Sequence, residues 1–474
     1  MSTFSGLNTA YTALTAARNG LDVVGQNIAN LNTQGYTRQR VTTSSIGGLA
    51  NVGALSHGVT VGQGVATEGI ARLGDIFLDS KVRSSAASSG YWNVRSSALD
   101  TIESVLQEPG KNGISNQLQT FWSAWQDVSN RAGEPASASV LLEQAGVLAA
   151  RIGNGYTEIA AEWSDLRAQT DGMAAELNDA ASQVAGLNGR IRSALAAGES
   201  VNELMDKRSS LTATIASLAG GTARETADGT VEVLIGGNAI VSGDTFRPIS
   251  VAGGRIMADG AGDPVRLEWN HRPDTPISLD GGEIAGAIAS LAPADATRTG
   301  GSLAEAAASF TALAVSLHDR VNAVHRTGET ANGSTNLDFF GWAGGVVDAR
   351  NLVVVATSVD TIASSNSGAG AYNGGIADAI SQIGVDPSGP SAVWSTIVTG
   401  IGVASRTAGH QADLSTISVN AAIGAQLAHS SVDIDEENIN MLSFQLAYQG
   451  AARVMTAVDE MLDTLINRTG VVGR

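Results

Sequence analysis

Two apolar stripes at opposite ends of this 474-residue chain constrain its fold more than any other feature. Near the start, large side chains recur at alternating intervals of three and four residues: Phe4, Leu7, Tyr11, Leu14, Leu21 and Ile28. The same intervals return near the end, at Met441, Phe444, Tyr448, Ala451, Met455, Val458, Met461, Leu462 and Leu465. Such spacing places side chains on one side of a helix, and a sustained stripe requires a partner helix. We therefore predict that the two ends pair as a coiled coil and that the rest of the chain is inserted between them.

These stripes also predict contacts between copies of the chain. A pair of helices with large apolar side chains needs more partner surface than one monomer supplies. The first interpretation is therefore an assembly subunit, and an enzyme is the weaker alternative. The predicted assembly residues on the two stripes are Leu7, Leu14, Leu21, Ile28, Phe444, Tyr448, Met455, Val458, Leu462 and Leu465.

Composition and charge limit the classes of function. Hydrophobic residues make up 43% of the chain but aromatic residues only 4%, which suits helical bundles better than a thick enzyme core. The formal net charge of −18 disfavours nucleic acid as a partner, because phosphate binding needs clustered Lys and Arg. Since the chain contains no cysteine, thiol catalysis, thiolate metal sites and disulfides are excluded.

Neither a membrane span nor a cleavable signal peptide is expected from the sequence. No stretch approaches the ~20 consecutive apolar residues that a membrane-spanning helix needs. Residues 1–15 have no basic start and no continuous apolar core. If the protein is secreted, its export must depend on something other than a cleavable signal.

Helical patterns occupy most of the chain and enclose one β-rich stretch. The longest helical pattern covers 136–197, and strict alternation over 231–235 after the Asp228-Gly229 turn predicts a half-buried strand. The predicted fold is mainly α with a β insertion: an elongated multidomain chain with paired N- and C-terminal coiled-coil helices, a central long-helix bundle and a small outer β domain. The predicted domains are a terminal coiled-coil domain (1–45 and 432–474), a helical bundle with an extended 46–75 segment (46–221, 283–327 and 386–431), a β-rich outer domain (222–282) and an irregular loop-rich segment (328–385).

Candidate catalytic and metal-binding residues are scattered. Among six histidines only His318 and His325 are close in sequence, and two helical turns is too long for a shared metal. The acidic run from Asp433 lacks the glycine and glutamate of a calcium loop, because those positions hold Asn438 and Phe444. It is better interpreted as a helix N-terminus, where acidic side chains complement the dipole. We predict no catalytic residue, no cofactor and no metal site.

A family resemblance rests first on the segment that follows the N-terminal stripe. Residues 21–36, LDVVGQNIANLNTQGY, resemble the N-terminal signature of bacterial flagellar axial proteins, which include rod, hook and hook-associated subunits. In this segment Asn27 and Asn30 are predicted to end the helix by side-chain hydrogen bonds. The turn that follows uses Asn30, Gly35 and Tyr36, and Gly35 permits it. These three are further predicted assembly residues. The continuation Thr37-Arg38-Gln39 is similar to that of the hook-associated protein 1 family.

Three further segments resemble that family in the same order along the chain. They are a strand pair in 230–243, an N-x-x-H motif in 321–325 ahead of 338–340, and terminal-helix motifs at 435–437, 444–449 and 459–465. Apart from 338–340, we recognise no resemblance to the family in residues 328–390.

The resemblance implies a structural adaptor of the bacterial flagellum, needed for filament assembly and forming a layer between hook and filament. Its partners would be further copies of itself in a ring-like layer, the hook protein, a neighbouring hook-associated junction protein, and a type III export chaperone at the C-terminal helix. It would be extracellular, at the hook–filament junction, exported by the flagellar type III system without a cleavable signal peptide. Neither nucleic acid nor membrane insertion is expected.

Two alternatives stay open. A flagellar rod or hook subunit shares the N-terminal signature, but would lack the long helix of 136–197 and the continuation at 37–39. The remoter alternative is an axial protein with a fused hydrolase or an adhesive outer domain. A hydrolase would need a carboxylate pair in a cleft, and the acidic residues of the β-rich stretch have no recognisable setting: Glu232, Asp244, Asp263 and Glu268.

Overall fold

The computed structural model describes residues 3–47 and 62–468, and its architecture is mainly α with small β parts, as predicted. Residues 48–61 of the predicted extended segment lie outside the described residues. In the described chain the helices are α1 (Thr3–Ala29), α2 (Ile76–Leu106), α3 (Ile114–Asn130), α4 (Pro135–Ala196), α5 (Asn202–Ala219), α6 (Met257–Gly260), α7 (Glu283–Leu291), α8 (Ser302–His325), α9 (Gly375–Ser381), α10 (Pro390–Ser430) and α11 (Ile434–Asp463).

Local sequence signals explain where the principal helices begin. α2 follows Asp75, whose carboxylate accepts hydrogen bonds from two backbone N–H groups of the first turn. α4 has Pro135 in its first turn, where the missing N–H has no helical partner to lose. α11 follows Asp433, which accepts from the N–H groups of Asp435 and Glu436. The acidic run therefore begins a helix, as predicted.

All paired strands of the described residues are antiparallel. The first two form a hairpin beside α1, the next seven form sheets of four and three strands, and the last four form two short pairs. They are β1 (Gln39–Ser45), β2 (Val65–Arg72), β3 (Thr222–Glu225), β4 (Val231–Ile235), β5 (Asn238–Ser242), β6 (Thr245–Phe246), β7 (Ile249–Ala252), β8 (Arg266–Trp269), β9 (Arg272–Pro276), β10 (Gly328–Glu329), β11 (Phe340–Trp342), β12 (Leu352–Val354) and β13 (Ser365–Asn366). The predicted alternation holds in β4, whose residues 231, 233 and 235 are buried.

The larger hydrophobic core lies among α2, α3, the first half of α4, α8 and α10. α2 and α10 run antiparallel along each other. At one end Gln426 Nε2 donates to Asp79 Oδ1 (2.6 Å), and at the other Trp394 Nε1 donates to Glu108 Oε1 (3.0 Å). The bulkiest side chains of this core are fully buried indoles and phenyl rings: Trp125, Trp163, Trp394, Phe121 and Phe310.

The second half of α4 carries the β-rich part of the molecule on a separate core. Two asparagine side chains of this helix form paired hydrogen bonds with strand backbones, as a neighbouring strand would. Asn178 exchanges two hydrogen bonds with the backbone of Ile249 in β7 (2.8 and 2.9 Å). Asn188 does the same with Val231 in β4 (2.8 and 3.0 Å). The 62-residue helix therefore belongs to both cores and fixes the sheets to the helical part.

The segment 328–385, for which the sequence indicated no firm element, contributes α9 and four short strands. Phe339 and Phe340 are fully buried in the larger core, and Ile380 of α9 packs there as well. Short elements of two to seven residues are too brief to produce a periodic pattern, which is why the sequence did not predict them. The predicted division into domains stays a prediction.

Candidate assembly site at the terminal helices

The two ends of the described chain pack against each other as an antiparallel pair of helices, α1 and α11. Gly6 faces Val458, whose Cγ2 lies 3.6 Å from where a side chain on Gly6 would begin. Further along, Gly20 faces the ring of Phe444. Since the position on α1 rises as the position on α11 falls, the start of α1 and the end of α11 lie at the same end of the pair.

On the side of α1 that meets α11, small residues lie beside the large ones of the predicted stripe. Small or short side chains recur at intervals of four and three residues, and they are Gly6, Ala10, Ala13, Ala17, Gly20, Val24 and Asn27. Ala10, Ala17, Gly20, Val24 and Asn27 of this set are buried. The predicted assembly residues lie one position further along and are only partly buried: Leu7, Leu14, Leu21 and Ile28. Small residues allow the helix axes to approach closely, so the larger neighbours flank the contact.

Some residues of the predicted α11 stripe are buried or partly buried, and others are exposed to solvent. Val458 is buried, and Phe444, Met455 and Leu462 are partly buried. Tyr448 and Leu465 remain exposed, at 39% and 58%. Whether any of these residues contacts another copy stays a prediction.

A polar cluster joins the helix pair to the rest of the molecule, and Asn27 is its centre. The Asn27 side chain is 1% exposed and makes four hydrogen bonds. Its Nδ2 donates to Gln39 O (2.9 Å) and to Glu437 Oε2 (3.2 Å). Its Oδ1 accepts from Gln39 N (3.0 Å) and from the Tyr36 hydroxyl (2.8 Å). One amide therefore fixes the loop after α1 and the first turn of α11 relative to each other.

Arg38 adds an ionic contact to the same turn of α11. Its Nε donates to Glu437 Oε1 (2.7 Å) and its Nη1 to Glu436 Oε2 (2.5 Å), while its backbone N–H donates to Ser430 O (2.9 Å). Burial acts to lower the pKa of Arg38, but the bonds to Glu436 and Glu437 outweigh burial and raise it. Glu437 is 1% exposed, so its charge depends on Arg38 and Asn27 for compensation.

Asp206 of α5 holds the other side of the loop. Its carboxylate accepts from Thr37 N (3.0 Å) and from Arg72 Nε (2.6 Å). Burial, followed by the negative charges of Asp206, Glu203 and Glu437, raises the pKa of Tyr36 to about 12. The Tyr36 hydroxyl therefore stays protonated at neutral pH and donates a hydrogen bond to Asn27 Oδ1. The polar cluster thus comprises Asn27, Tyr36, Thr37, Arg38, Gln39, Arg72, Asp206, Glu436 and Glu437.

The remaining predicted loop residues have local roles. Asn30 Nδ2 donates to Gln26 O (2.9 Å) at the end of α1, which is the predicted helix-ending bond. Gly35 has φ 78°, a left-handed conformation that favours glycine, and a side chain there would meet open space. The sequence interpretation missed Asp206 and Glu437 as partners of this loop, because they are far from it in the chain.

The N-x-x-H motif forms a second cluster of buried hydrogen bonds, in the larger core. Asn322 Oδ1 accepts from the backbone N–H of Phe339 (2.9 Å) and Phe340 (3.0 Å), and its Nδ2 donates to Phe340 O (2.8 Å). His325 lies between Leu337 O, which Nδ1 reaches at 2.7 Å, and Ala363 N, which donates to Nε2 at 2.9 Å. Burial lowers the pKa of His325 despite opposite effects of that carbonyl and of Asp338. The motif is structural: it holds two loop segments against α8.

Among the described residues no three His, Cys, Asp or Glu side chains lie close enough together to hold a metal ion. None of the described helices is long and apolar enough to cross a membrane.

Comparison with protein-family models identifies the family to which the chain belongs. The family model for the flagellar hook-associated protein FlgK helical domain matches residues 99–340, more than half of the chain. This chain belongs to the FlgK family. The match spans α3 to α8 with all of the central β-rich part, and thus the N-x-x-H motif and the long helix α4. FlgK is a structural flagellar family, so the resemblance inferred from the sequence is confirmed.

Individual FlgK relatives agree with this assignment. Flagellar hook-associated protein 1 of Bacillus subtilis (strain 168) is 29% identical over 510 aligned residues, covering all of both chains. Flagellar hook-associated protein 1 of Salmonella typhimurium is 26% identical over 343 residues, or 70% of this chain and 59% of the relative. The structure of the flagellar hook junction protein FlgK from Burkholderia pseudomallei matches 76% of this chain and all of that one, with a TM-score of 0.61. At 14% identity, that likeness concerns the fold.

Two further family models cover the ends of this FlgK chain. The flagella basal body rod protein model matches residues 7–37, and the flagellar basal body rod FlgEFG protein C-terminal model matches 425–468. The first range contains Asn27 and the second contains Glu437, which are joined by a hydrogen bond in the polar cluster. The two segments of this chain that match rod-protein models therefore contain most of α1 and all of α11, the two helices that pair in this structure.

Proposed function

We propose that this chain is a structural junction protein of the bacterial flagellum, assembled as an adaptor layer between hook and filament. Membership of the FlgK family supports this role, as do relatives named as hook-associated and hook junction proteins. The chemistry that the proposal requires is packing and hydrogen bonding, and we assign no catalytic step to the chain.

One observation carries the proposal beyond the family name. The α1–α11 pair is anchored by the polar cluster, while large apolar side chains of both helices remain exposed. Phe4 and Tyr11 of α1 are 68% and 60% exposed, and Leu442 and Leu446 of α11 are 57% and 67% exposed. An anchored helix pair with an uncovered apolar surface is typical of a protein–protein contact. We infer that neighbouring subunits cover this surface in the flagellum.

The proposed partners are further copies of the chain, the hook protein and a neighbouring hook-associated junction protein. We further propose export through the flagellar type III system, a chaperone that binds the amphipathic α11 before assembly, and a final location outside the cell. Deletion of the gene tests the role directly. Electron microscopy should show complete hooks without filaments, and flagellin should appear in the medium. Missing hooks would instead indicate a rod or hook subunit, and normal filaments would refute the flagellar role.

Complementation of the deletion with variants of α11 links the role to the polar cluster. Glu437→Gln keeps the size of the side chain but removes the charge that Arg38 contacts. Glu460→Gln is the matched control, because Glu460 lies exposed on the same helix. We expect filaments with the control and few or none with Glu437→Gln at equal protein abundance. Equal numbers of filaments with both variants would contradict a role of the cluster in assembly.

A further inference from the structure

A cavity of about 380 Å³ lies where the first turns of α2 meet α5 and β3. Four arginines line it, Arg72, Arg83, Arg208 and Arg224, on a chain whose net charge is −18. The lining includes only two acidic side chains, Asp79 and Glu225. This cavity, here called the Arg83 pocket, therefore gathers several guanidinium groups on an acidic protein, and the charge that it presents depends on how each of them is paired.

Three of these arginines have partners. Arg72 bonds to Asp206, Arg224 donates to Glu232 (2.6 Å), and Arg208 donates to Gly229 O (2.7 Å) and lies 3.7 Å from Glu225. The guanidinium group of Arg83 makes no hydrogen bond or ion pair with any residue that the structure describes.

The charge of Arg83 is consequently poorly compensated. Burial lowers the pKa of Arg83, and the nearby charges of Asp79 and Glu225 offset this only in part. The Asp79 carboxylate already accepts from Gln426 (2.6 Å). An additional carboxylate in the pocket would supply the missing counter-charge.

The rim of the Arg83 pocket is apolar. Phe77 is 79% exposed and its neighbour Ile76 is 60% exposed, both in the first turn of α2. Exposed aromatic side chains beside arginine are typical of binding hot spots. A partner that fits would present one carboxylate next to apolar side chains on a continuous surface.

The outer side of α11 presents that arrangement. Asp435, Ile439, Leu442 and Leu446 follow intervals of four, three and four residues, so they lie in one row along the helix. Ile439, Leu442 and Leu446 are all more than half exposed. The exposed Asp435 carboxylate makes no hydrogen bond or ion pair to the described residues. This row, here called the outer row of α11, has its acid at one end and its apolar residues beyond it.

We propose that the Arg83 pocket of one copy binds the outer row of α11 of a second copy, with Asp435 against Arg83 and Leu442 against Phe77. The two surfaces differ, so the contact is heterologous and leaves a free pocket and a free row at the ends of any assembly that does not close on itself. Such contacts produce closed rings or helical layers rather than isolated dimers. The inference rests on the proposed role as an assembly subunit and adds the surfaces by which copies meet.

Disulfide cross-linking tests the pairing, because the natural chain has no cysteine. Purified full-length Phe77→Cys and Leu442→Cys chains are mixed and oxidised, and the heterodimer is quantified on a non-reducing gel. The control replaces Phe77→Cys with Tyr372→Cys, since Tyr372 is an equally accessible aromatic residue at 87% exposure. We expect roughly tenfold more heterodimer with Phe77→Cys than with the control, from proximity alone. Equal yields, or no heterodimer, would overturn the proposal.

Charge reversal supplies a second, independent measurement on the same cross-link. Arg83→Glu on the Phe77→Cys chain should reduce the yield, and so should Asp435→Arg on the Leu442→Cys chain. Combining the two reversed chains should restore it, which a merely misfolded variant could not do. Failure of this rescue refutes the Arg83–Asp435 pairing. Because these readouts use pure protein, they are distinct from the filament counts that test the proposed function.

Discussion

The close approach of α1 to α11 makes Gly20 the position where the smallest change should have the clearest effect. A methyl group added at Gly20 would begin 2.5 Å from two ring atoms of Phe444 and 2.7 Å from a third. Three ring atoms cannot all be cleared without moving the ring out of the contact or separating the helices. Gly25 offers a matched control on the same helix, since nothing lies within 4 Å of the corresponding point.

The two alanine substitutions should therefore have opposite effects on α1. Each replaces glycine inside a helix, which stabilises the helix by about 1 kcal/mol. In Gly25→Ala this gain stands alone. In Gly20→Ala it is opposed by an overpacking cost of about 1–3 kcal/mol. The difference between the variants equals that cost, a factor of roughly 5 to 150 in the equilibrium constant for separation of α1.

Hydrogen exchange followed by mass spectrometry of peptides from α1 measures this equilibrium constant. Exchange should be slower than in the parent chain for Gly25→Ala, by about fivefold, and equal or faster for Gly20→Ala. The peptides of α8 act as an internal reference, because α8 lies in the larger core away from the substitution. Equal protection of α1 in both variants would refute the packing of Gly20 against Phe444.

Three further outcomes follow from the hydrogen-bonded clusters. Asn322→Ala leaves the buried backbone of Phe340 without its side-chain partners, so thermal denaturation should show a free energy of unfolding that is lower by about 2–4 kcal/mol. An unchanged melting temperature would contradict the structural role of the Asn322 hydrogen bonds. The pKa of His325 is lower in the folded state than the ~6.5 of an unfolded histidine, so its contribution to stability is present above that pH and is lost as the pH falls through the folded-state pKa. The melting temperature should therefore fall between pH 7 and pH 5 more steeply than in His325→Gln, and parallel curves would refute the effect. Asp206→Ala removes the acceptor of two buried donors and should destabilise the chain by about 2–3 kcal/mol in urea titration, whereas a shift under 0.5 kcal/mol would contradict its role.

Much of the helical architecture was predictable because its signals are local. The pattern over 136–197 predicted a helix that the structure places at Pro135–Ala196, and the strand predicted at 231–235 is β4. In both cases the side-chain period lies within the element, and the proline or the Asp-Gly turn that bounds it lies at its start or directly before it. The N-terminal stripe shows the limit of this reasoning. Its large residues have the right period, but most of the small residues one position away are more deeply buried, and period alone does not decide between two adjacent rows.

The polar cluster could not have been assembled from the sequence. Asn27 and Glu437 are 410 positions apart, and Thr37 and Asp206 are 169 apart. Each of these residues has an ordinary local role in the sequence, as part of a helix end or an acidic first turn. Their shared function depends on a three-dimensional arrangement of α1, α5 and α11 that no local pattern specifies.

The distance along the chain between Asn27 and Glu437 also determines how long α1 exists without α11 during synthesis. A ribosome adding about 5–20 residues per second needs roughly 20 to 80 s to travel from one to the other. Throughout that interval α1 lacks the helix that covers its row of small residues, while the core of the β-rich part, which is complete by Ile284, can already close. α1 is therefore made long before the helix that covers it, which leaves it accessible to any factor that must recognise the chain before folding is complete.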